Sequence, residues 1–182
     1  MNINAFNKFY WGFLFIMIDF RLQGFDILPD IVGYLFFAAG FSILASNSEY
    51  FKKAGRQNIG MILLSVFSIY EPPAQGEGIQ LGQLGVFGIL IGILSIIFSL
   101  LVVYNLFMGI KEMSLGSGRT DIYDEADNKW RQFLALQVSS LLVLVLIFIP
   151  PLAVISIIVL LIVSVILTIS IMRFMKVCGD SL

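Results

Sequence analysis

The chain has 182 residues, of which 59% are apolar and 13% are charged, against about 45–50% and about 25% in soluble domains. Its mean hydropathy is +0.97 and its formal net charge is −1. A water-soluble fold of this size cannot bury that much hydrocarbon, and a nucleic-acid-binding protein carries a net positive charge. The lack of histidine and the single Cys178 exclude zinc sites and intrachain disulfides. The composition therefore predicts an integral membrane protein whose main partner is the lipid bilayer, with no nucleic acid bound.

The longest charge-free run covers residues 132–172 and contains 41 residues. Charge-free runs mark candidate spans because an ionised side chain in the middle of a bilayer is costly. Pro150 and Pro151 divide this run into two halves of about 20 residues, and each half is long enough for one helical crossing. Since proline cannot continue a helix, the pair predicts a tight turn between two antiparallel helices.

Four further charge-free runs are shorter: residues 9–18, 31–48, 57–70 and 78–110. We therefore predict an all-α fold, a polytopic transmembrane helix bundle with six spans in a single membrane domain, residues 1–182. The predicted spans are 5–20, 29–47, 55–71, 82–109, 130–149 and 152–174, with a cytosolic loop at 111–129. In the alternative, the N-terminal helix is re-entrant or interfacial, and five helices span the membrane.

The basic residues favour six spans through the positive-inside rule. If both termini are cytoplasmic, ten of the eleven lysines and arginines fall in cytoplasmic segments, and only Arg21 lies outside. The predicted location is therefore the cell membrane, with multiple passes and with N- and C-termini in the cytoplasm. Lys8 and the apolar stretch after it are typical of a signal peptide, but no cleavage site follows. We therefore expect this first helix to be retained.

The fourth predicted helix carries small residues at helical spacing. They recur every three or four positions, at Gly85, Gly88, Gly92, Ser95 and Ser99. This spacing places them in one narrow stripe, and small side chains let two helix backbones approach closely in lipid. The stripe predicts a helix-packing seam within the bundle. The alternative is a contact face with a membrane-protein partner or with a second copy in a homo-oligomer.

The most distinctive short stretch covers residues 24–34. Asp26 and Asp30, on either side of Pro29, are typical of a helix start, and Gly33 permits close packing one turn further. The motif Phe-Asp-Ile-Leu-Pro-Asp-x-x-Gly-Tyr is carried by Phe25, Asp26, Pro29, Asp30, Gly33 and Tyr34. On these residues and the short apolar lead-in, the chain resembles a family of small, uncharacterised multi-spanning membrane proteins of Gram-positive, spore-forming bacteria. The resemblance implies a plasma-membrane location and no particular activity.

Polar residues within the predicted spans are uncharged, and Asn105 and Gln137 are the two with amide side chains. Such side chains usually form hydrogen bonds with a neighbouring helix, so we expect a partner helix to contact Gln137. Proton-coupled transporters and pumps generally place carboxylates or histidines inside the membrane. Their absence at mid-helix argues against that class but leaves a passive pore open.

Five carboxylates fall in the predicted outer segments: Asp19, Asp26, Asp30, Glu71 and Glu77. Clusters of oxygen ligands suit Ca²⁺ or Mg²⁺, but none of these residues has the spacing of a calcium loop. We interpret them as helix caps and loop charges, and we predict no metal site and no cofactor.

The segment between the fourth and fifth spans is the only sizeable soluble stretch. A Gly-Ser-Gly sequence within it marks a flexible break. After the break, Glu125 stands four residues before Lys129. Asp127 likewise stands four residues before Arg131. This spacing is typical of a solvated helix, so we expect the fifth helix to begin near Asp121.

Motifs of the common enzyme classes are missing: the nucleophile elbow, the phosphate-binding loop and the metalloprotease motif. We therefore predict no catalytic residues. The leading hypothesis is a non-enzymatic membrane protein that acts as a subunit, scaffold or regulator of a membrane complex. The alternative is a small-solute or ion permease or channel, which a polar cavity lined by Gln137, Asn105 and serines would favour. A lipid-modifying membrane enzyme comes third, and it requires Arg21, Lys111 or Arg131 to meet a carboxylate in one pocket.

Overall fold

Six helices make up almost all of the chain that the structure, a computed structural model, describes: residues 2–17, 21–22, 25–26, 30–68, 85–146 and 149–182. The helices are α1 Asn2–Met17, α2 Asp30–Leu44, α3 Glu49–Ser68, α4 Gly85–Gly116, α5 Thr120–Leu146 and α6 Pro150–Ser181. Between α1 and α2, the two-residue strands β1 Arg21–Leu22 and β2 Phe25–Asp26 pair antiparallel. Each predicted span overlaps one helix, which confirms the all-α fold class.

The helix starts follow the sequence signals. α2 begins at Asp30, directly after Pro29, and α5 begins at Thr120 with Asp121 in its first turn. α6 begins at Pro150, and its two prolines occupy the first two helical positions. Proline is favoured there because its missing N–H would have no partner inside the helix.

The segment predicted as a cytosolic loop at 111–129 is mostly helical, and the start of the fifth helix expected near Asp121 is confirmed. α4 continues to Gly116 and α5 begins at Thr120, so only residues 117–119 form a turn. Gly118 has a φ of 69°, its N–H donates to the Leu115 carbonyl, and the Arg119 N–H donates to the Ser114 carbonyl at 2.9 Å. These two bonds form the C-terminal cap in which glycine takes the left-handed conformation.

The six helices are arranged in a closed ring. Each helix packs against its neighbours in sequence, and α1 also packs against α6. Contacts between helix ends define one end of the ring: the Asn2 amide donates to the Leu182 carbonyl at 2.8 Å, and the Ser48 hydroxyl donates to the Glu112 carboxylate. We call this the charged end. Its basic residues are Lys52, Lys53, Arg56, Lys111, Arg119, Lys129, Arg131, Arg173 and Lys176.

Phenylalanine rings packed on glycines hold the first four helices together. A Cβ atom built on Gly40 of α2 would lie 2.6 Å from the Phe9 ring of α1, and one on Gly12 would lie 2.3 Å from the Phe37 ring. The same arrangement joins α3 and α4, where Phe98 lies against Gly60 and Phe51 lies against Gly109. The absent side chain lets a ring of one helix contact the backbone of the next.

Gly33 forms the closest approach between α1 and α2. A Cβ at this position would lie 2.6 Å from Ile16 and 2.8 Å from the Gly12 carbonyl oxygen. The predicted close packing at Gly33 is therefore confirmed. Aromatic rings extend this contact edge to face: the Phe37 ring centroid lies 5.7 Å from that of Phe9 and 4.9 Å from that of Phe13.

The predicted seam within the bundle is wrong at Gly92. This glycine is exposed, and a Cβ added to it would meet no atom within 4 Å. Ser95 and Ser99 are partly buried, while the surroundings of Gly85 and Gly88 lie outside what the structure describes. Spacing alone predicts that a backbone can approach the stripe, but the rotation of α4 turns Gly92 away from the other helices.

Burial is concentrated at the charged end of the ring. The largest fully buried side chains there include seven phenylalanines: Phe6, Phe9, Phe37, Phe41, Phe51, Phe107 and Phe174. Away from this end, apolar side chains face outward, and Leu63, Leu142 and Leu161 are each more than 60% exposed. Among the described residues, two helical segments are long and apolar enough to cross a membrane, Leu90–Gly116 and Pro151–Ser181.

The substitutions Gly40→Ala and Gly92→Ala test the role of phenylalanine–glycine packing. In Gly40→Ala the new methyl group would overlap the Phe9 ring, which is expected to cost about 1–3 kcal/mol of unfolding free energy. Gly92→Ala adds its methyl group to open space and should stabilise α4 by up to about 1 kcal/mol, because alanine favours helix. Thermal unfolding in detergent measures both.

Adding Phe9→Leu to Gly40→Ala should restore part of the lost stability, because the smaller side chain leaves room for the methyl group. Equal unfolding midpoints for the Gly40→Ala and Gly92→Ala proteins would contradict this packing account.

Candidate functional site

A cavity of about 200 Å³ lies inside the ring, midway along the helices. Five helices contribute to its wall: α1, α2, α4, α5 and α6. Most of the lining is apolar, from Phe13, Ile16, Met17, Phe37, Val102, Val103, Phe133, Leu136, Leu167 and Ile171. At about 30 Å³ for each water molecule in the liquid, the volume equals that of about seven waters. The cavity therefore has room for a small solute.

The polar groups of this cavity are uncharged and come from four helices. They belong to Tyr34, Ser99, Gln137, Ser164 and Thr168. Ser99 is on α4, Gln137 on α5, and Ser164 and Thr168 stand one turn apart on α6. Hydroxyl and amide groups both donate and accept hydrogen bonds, so this set can bind an uncharged polar molecule.

Gln137 is the residue that we expected a partner helix to contact. The residue faces the cavity across which α6 presents Ser164 and Thr168, but its side-chain amide forms no hydrogen bond with any other described group. Ser140 donates only to the backbone carbonyl of Gln137, at 2.7 Å. An amide without a protein partner in an apolar interior costs free energy unless water or a ligand binds it.

Asn105 is not among the residues that line this cavity, so only Gln137 and serines of the lining that would favour a permease are present. It is buried between α4 and α3, where its Nδ2 atom donates to Gln57 Oε1 and to the Leu101 carbonyl oxygen, each at 2.8 Å. These bonds satisfy the amide within the protein. Asn105 therefore joins two helices rather than lining a path for solute.

Asn58 is a buried polar residue that the sequence analysis missed. Its Nδ2 atom donates to the Tyr34 backbone carbonyl at 2.7 Å, while its Oδ1 atom has no hydrogen-bond partner among the described residues. The signal was present in the sequence, because Ala54, Asn58 and Met61 recur at helical spacing on the buried face of α3. Its bond to α2 holds Tyr34 at the cavity wall.

The residues of the Phe-Asp-Ile-Leu-Pro-Asp motif separate into two groups. Gly33 and Tyr34 lie in the bundle, and Asp30 begins α2. Phe25 and Asp26 belong to β2, and their side chains, like Pro29, lie outside what the structure describes. Of the five predicted outer carboxylates, Asp19, Glu71 and Glu77 also fall outside the described residues. The described residues contain no group of three or more metal-binding side chains.

The charged end joins α4 to α5 through one carboxylate. Asp127 accepts from Lys111 Nζ at 2.5 Å and from Arg131 Nε at 2.8 Å, and the Lys111 ammonium lies 4.4 Å from the centre of the Tyr123 ring. The Lys111 hydrogen bond lowers the pKa of the Asp127 carboxyl below its ordinary value of 3.8, and Arg131 adds to the effect.

This ion-pair group satisfies one condition of the enzyme hypothesis but not the other. Lys111 and Arg131 do meet a carboxylate, yet neither lines the central cavity. Nearby, Lys129 Nζ donates to Ser170 Oγ of α6 at 2.7 Å and lies 3.5 Å from Glu125. Both predicted pairs four residues apart on α5 are therefore confirmed, and Asp127 and Lys129 also join α5 to α4 and α6.

Comparison with known proteins gives no family for this chain, since no family model, no curated protein and no solved structure matches it. The resemblance carried by the motif at residues 25–34 therefore stays a prediction.

The substitution Asp127→Asn tests the link between α4 and α5. The neutral amide loses both ion pairs, which are partly exposed, so we expect a loss of up to about 1 kcal/mol at pH 7. The pKa of Asp127 is lower in the folded protein, so its stabilisation is present above the ordinary value of 3.8 and disappears as the pH falls through the folded value.

Thermal unfolding of both proteins at pH 7 and pH 3 measures this difference. The gap between wild type and Asp127→Asn should narrow at pH 3. Asp124→Asn, an exposed change on the same helix, serves as the control and should show a small gap at both pH values. An Asp127→Asn gap that stays constant from pH 7 to pH 3 would show that the carboxylate does not stabilise the fold by its charge.

Proposed function

We propose that this chain is a multi-spanning membrane protein whose six helices cross the bilayer and whose central cavity binds a small uncharged solute, as in a permease for such solutes. The observation that carries the proposal is the convergence of Gln137, Ser164 and Thr168 on one cavity in an otherwise apolar part of the ring. Solute sites of membrane transporters commonly lie near the bilayer midplane.

The outer surface supports the membrane location. Between residues 152 and 169, α6 exposes twelve large aliphatic side chains. Leaving each of them half exposed in water would cost roughly 1 kcal/mol, and the total rivals the roughly 5–15 kcal/mol by which a folded domain is stable. The core helix of a soluble protein can be equally long and apolar but is mostly buried, whereas only 11% of the most apolar 18-residue stretch of α6 is buried. Lipid is the solvent that suits this surface.

The charge distribution supports a topology in which both termini are cytoplasmic. The charged end is the end of the bundle where α1 begins, where α6 ends, and where the α2–α3 and α4–α5 connections lie. Its basic residues are therefore all on one side. The positive-inside rule places such an end in the cytoplasm, with both termini. The lipid-facing part of the ring then lies between this end and the outer connections.

The chemistry of the cavity suggests the class of solute. No charged side chain lines it within the described part of the chain, so a charged solute would lose its hydration without compensation. Aromatic and aliphatic side chains surround the hydroxyl and amide groups. A small alcohol or amide, with an apolar body and one or two hydrogen-bonding groups, matches this lining best.

Glycerol uptake by proteoliposomes tests the permease proposal. Liposomes that contain the protein should swell several-fold faster in a glycerol gradient than empty liposomes, as recorded by light scattering. Gln137→Leu keeps the side chain's size but removes the amide, and it should bring the rate close to that of empty liposomes. Gln132→Leu makes the same change at an exposed position outside the cavity and should leave the rate unchanged.

Equal swelling of protein-containing and empty liposomes would reject the permease. The second candidate would then take its place: a subunit, scaffold or regulator that acts by association with another membrane protein. The exposed Gly92 favours this candidate, because a Cβ added there meets no atom of the described residues within 4 Å, and small residues let a second helix approach closely.

A further inference from the structure

A groove of about 410 Å³ runs between α1 and α6 at the charged end. It is separate from the central cavity, and the α4–α5 ion pairs do not reach it. At its floor the two helices approach closely, because Gly179 has no side chain and a Cβ there would lie 3.3 Å from Phe6 Cβ and 3.5 Å from Ile3 Cα. The groove opens to the outside of the ring.

Two opposite charges line this groove one helical turn apart. Lys176 and Asp180 are both exposed on α6, yet no ion pair within 4.0 Å forms between them or with another described residue. Asn4 and Asn7 of α1 add amide donors on the opposite wall. Lys176 precedes Asp180, which is the less favourable order for an ion pair between residues four apart on a helix. Here both are free to bind the two ends of a zwitterion.

The apolar surroundings connect the groove to the lipid-facing surface. Tyr10 and the exposed Trp11 lie along its α1 wall, and such aromatic residues mark the level of the lipid headgroups. On α6, the residues seven and eleven positions before Lys176 are Ile169 and Val165, on the same helix face, and both are exposed. Acyl chains that follow this face would place their headgroup in the groove.

We propose that this groove is a binding site for one phospholipid with a zwitterionic ethanolamine headgroup. Lys176 and the asparagine amides bind the phosphate, and Asp180 accepts hydrogen bonds from the ammonium group. A choline headgroup has the same net charge, but its methylated nitrogen cannot donate a hydrogen bond to Asp180. A glycerol headgroup has no cation for Asp180. The inference depends on the proposed membrane location and is independent of solute binding in the central cavity.

Native mass spectrometry of the purified full chain in detergent tests the site. The probes are phosphatidylethanolamine, phosphatidylcholine and phosphatidylglycerol with identical acyl chains, each added over a range of concentrations. We expect the ethanolamine lipid to bind about fivefold more tightly than the other two, since one charge contact near a headgroup contributes about 1 kcal/mol. Asp180→Asn should remove this preference. Lys176→Gln should weaken the binding of all three lipids, because all three carry the phosphate that Lys176 binds.

Matched substitutions control for net charge. Arg173→Gln removes a positive charge from α6 outside the groove, and Asp124→Asn removes a negative charge from α5. Both should leave the preference unchanged. Cys178 is fully buried, so its failure to react with a maleimide verifies that each variant is folded.

Three results would overturn the proposal. Equal binding of the three lipids would mean that the groove holds no specific headgroup. Tightest binding of phosphatidylglycerol would indicate a site for an anionic lipid. An ethanolamine preference that survives Asp180→Asn in a folded protein would show that the carboxylate does not bind the ammonium group. Glycerol uptake by the same proteins separates each of these results from failure of the permease proposal.

Discussion

The contact between a phenylalanine ring and a glycine backbone is the interaction on which this bundle depends. It occurs twice between α1 and α2 and twice between α3 and α4, with a ring against Gly12, Gly40, Gly60 or Gly109. A glycine inside a helix costs about 1 kcal/mol relative to alanine. The contacts of the phenylalanine rings offset this cost because they bring two backbones close together. Where lipid replaces water, such close packing is the main source of helix association.

In the six-helix ring, α5 and α6 are joined to their neighbours by further contacts. α5 and α6 are linked to their neighbours at the charged end by polar contacts: Lys111 with Asp127, Lys129 with Ser170, and Asn2 with the Leu182 carbonyl. Apolar side chains of α5 and α6, among them Ile122, Leu167 and Phe174, add to these contacts in the common core. The central cavity lies where α5 and α6 face α1, α2 and α4.

The helices themselves were predictable from the sequence, because their signals are local. Charge-free runs, the proline pair at 150–151 and the Asp30 start each depend on a few neighbouring residues, and each predicted span overlaps one observed helix. Gly33 was predictable as well, since it stands one turn inside a recognisable helix start. The start of α5 near Asp121 was predictable from the i,i+4 charge pairs, but the continuation of α4 from residue 111 to Gly116 was missed, because the charged residues there suggested a loop.

The packing partners were not predictable, because they depend on how each helix is rotated. The small-residue stripe at Gly92 indicated that close approach was feasible but not that another helix of the chain makes it. Gly40 and Gly109 carry no local signal, since what distinguishes them is a phenylalanine on another helix. The cavity was not predictable for the same reason. Gln137 was expected to contact a partner helix. That it lies opposite Ser164 and Thr168, and apart from Asn105, depends on how the helices pack against one another.

Chemical labelling of single cysteines tests the proposed architecture most directly. In a Cys178→Ala background, Ser46→Cys and Ser117→Cys place a thiol in the α2–α3 and α4–α5 connections, and Gln75→Cys places one between α3 and α4. If six helices cross the membrane, a membrane-impermeant maleimide applied to intact cells labels position 75 alone, and it reaches positions 46 and 117 once the membrane is opened. Labelling of position 46 or 117 in intact cells would contradict the account.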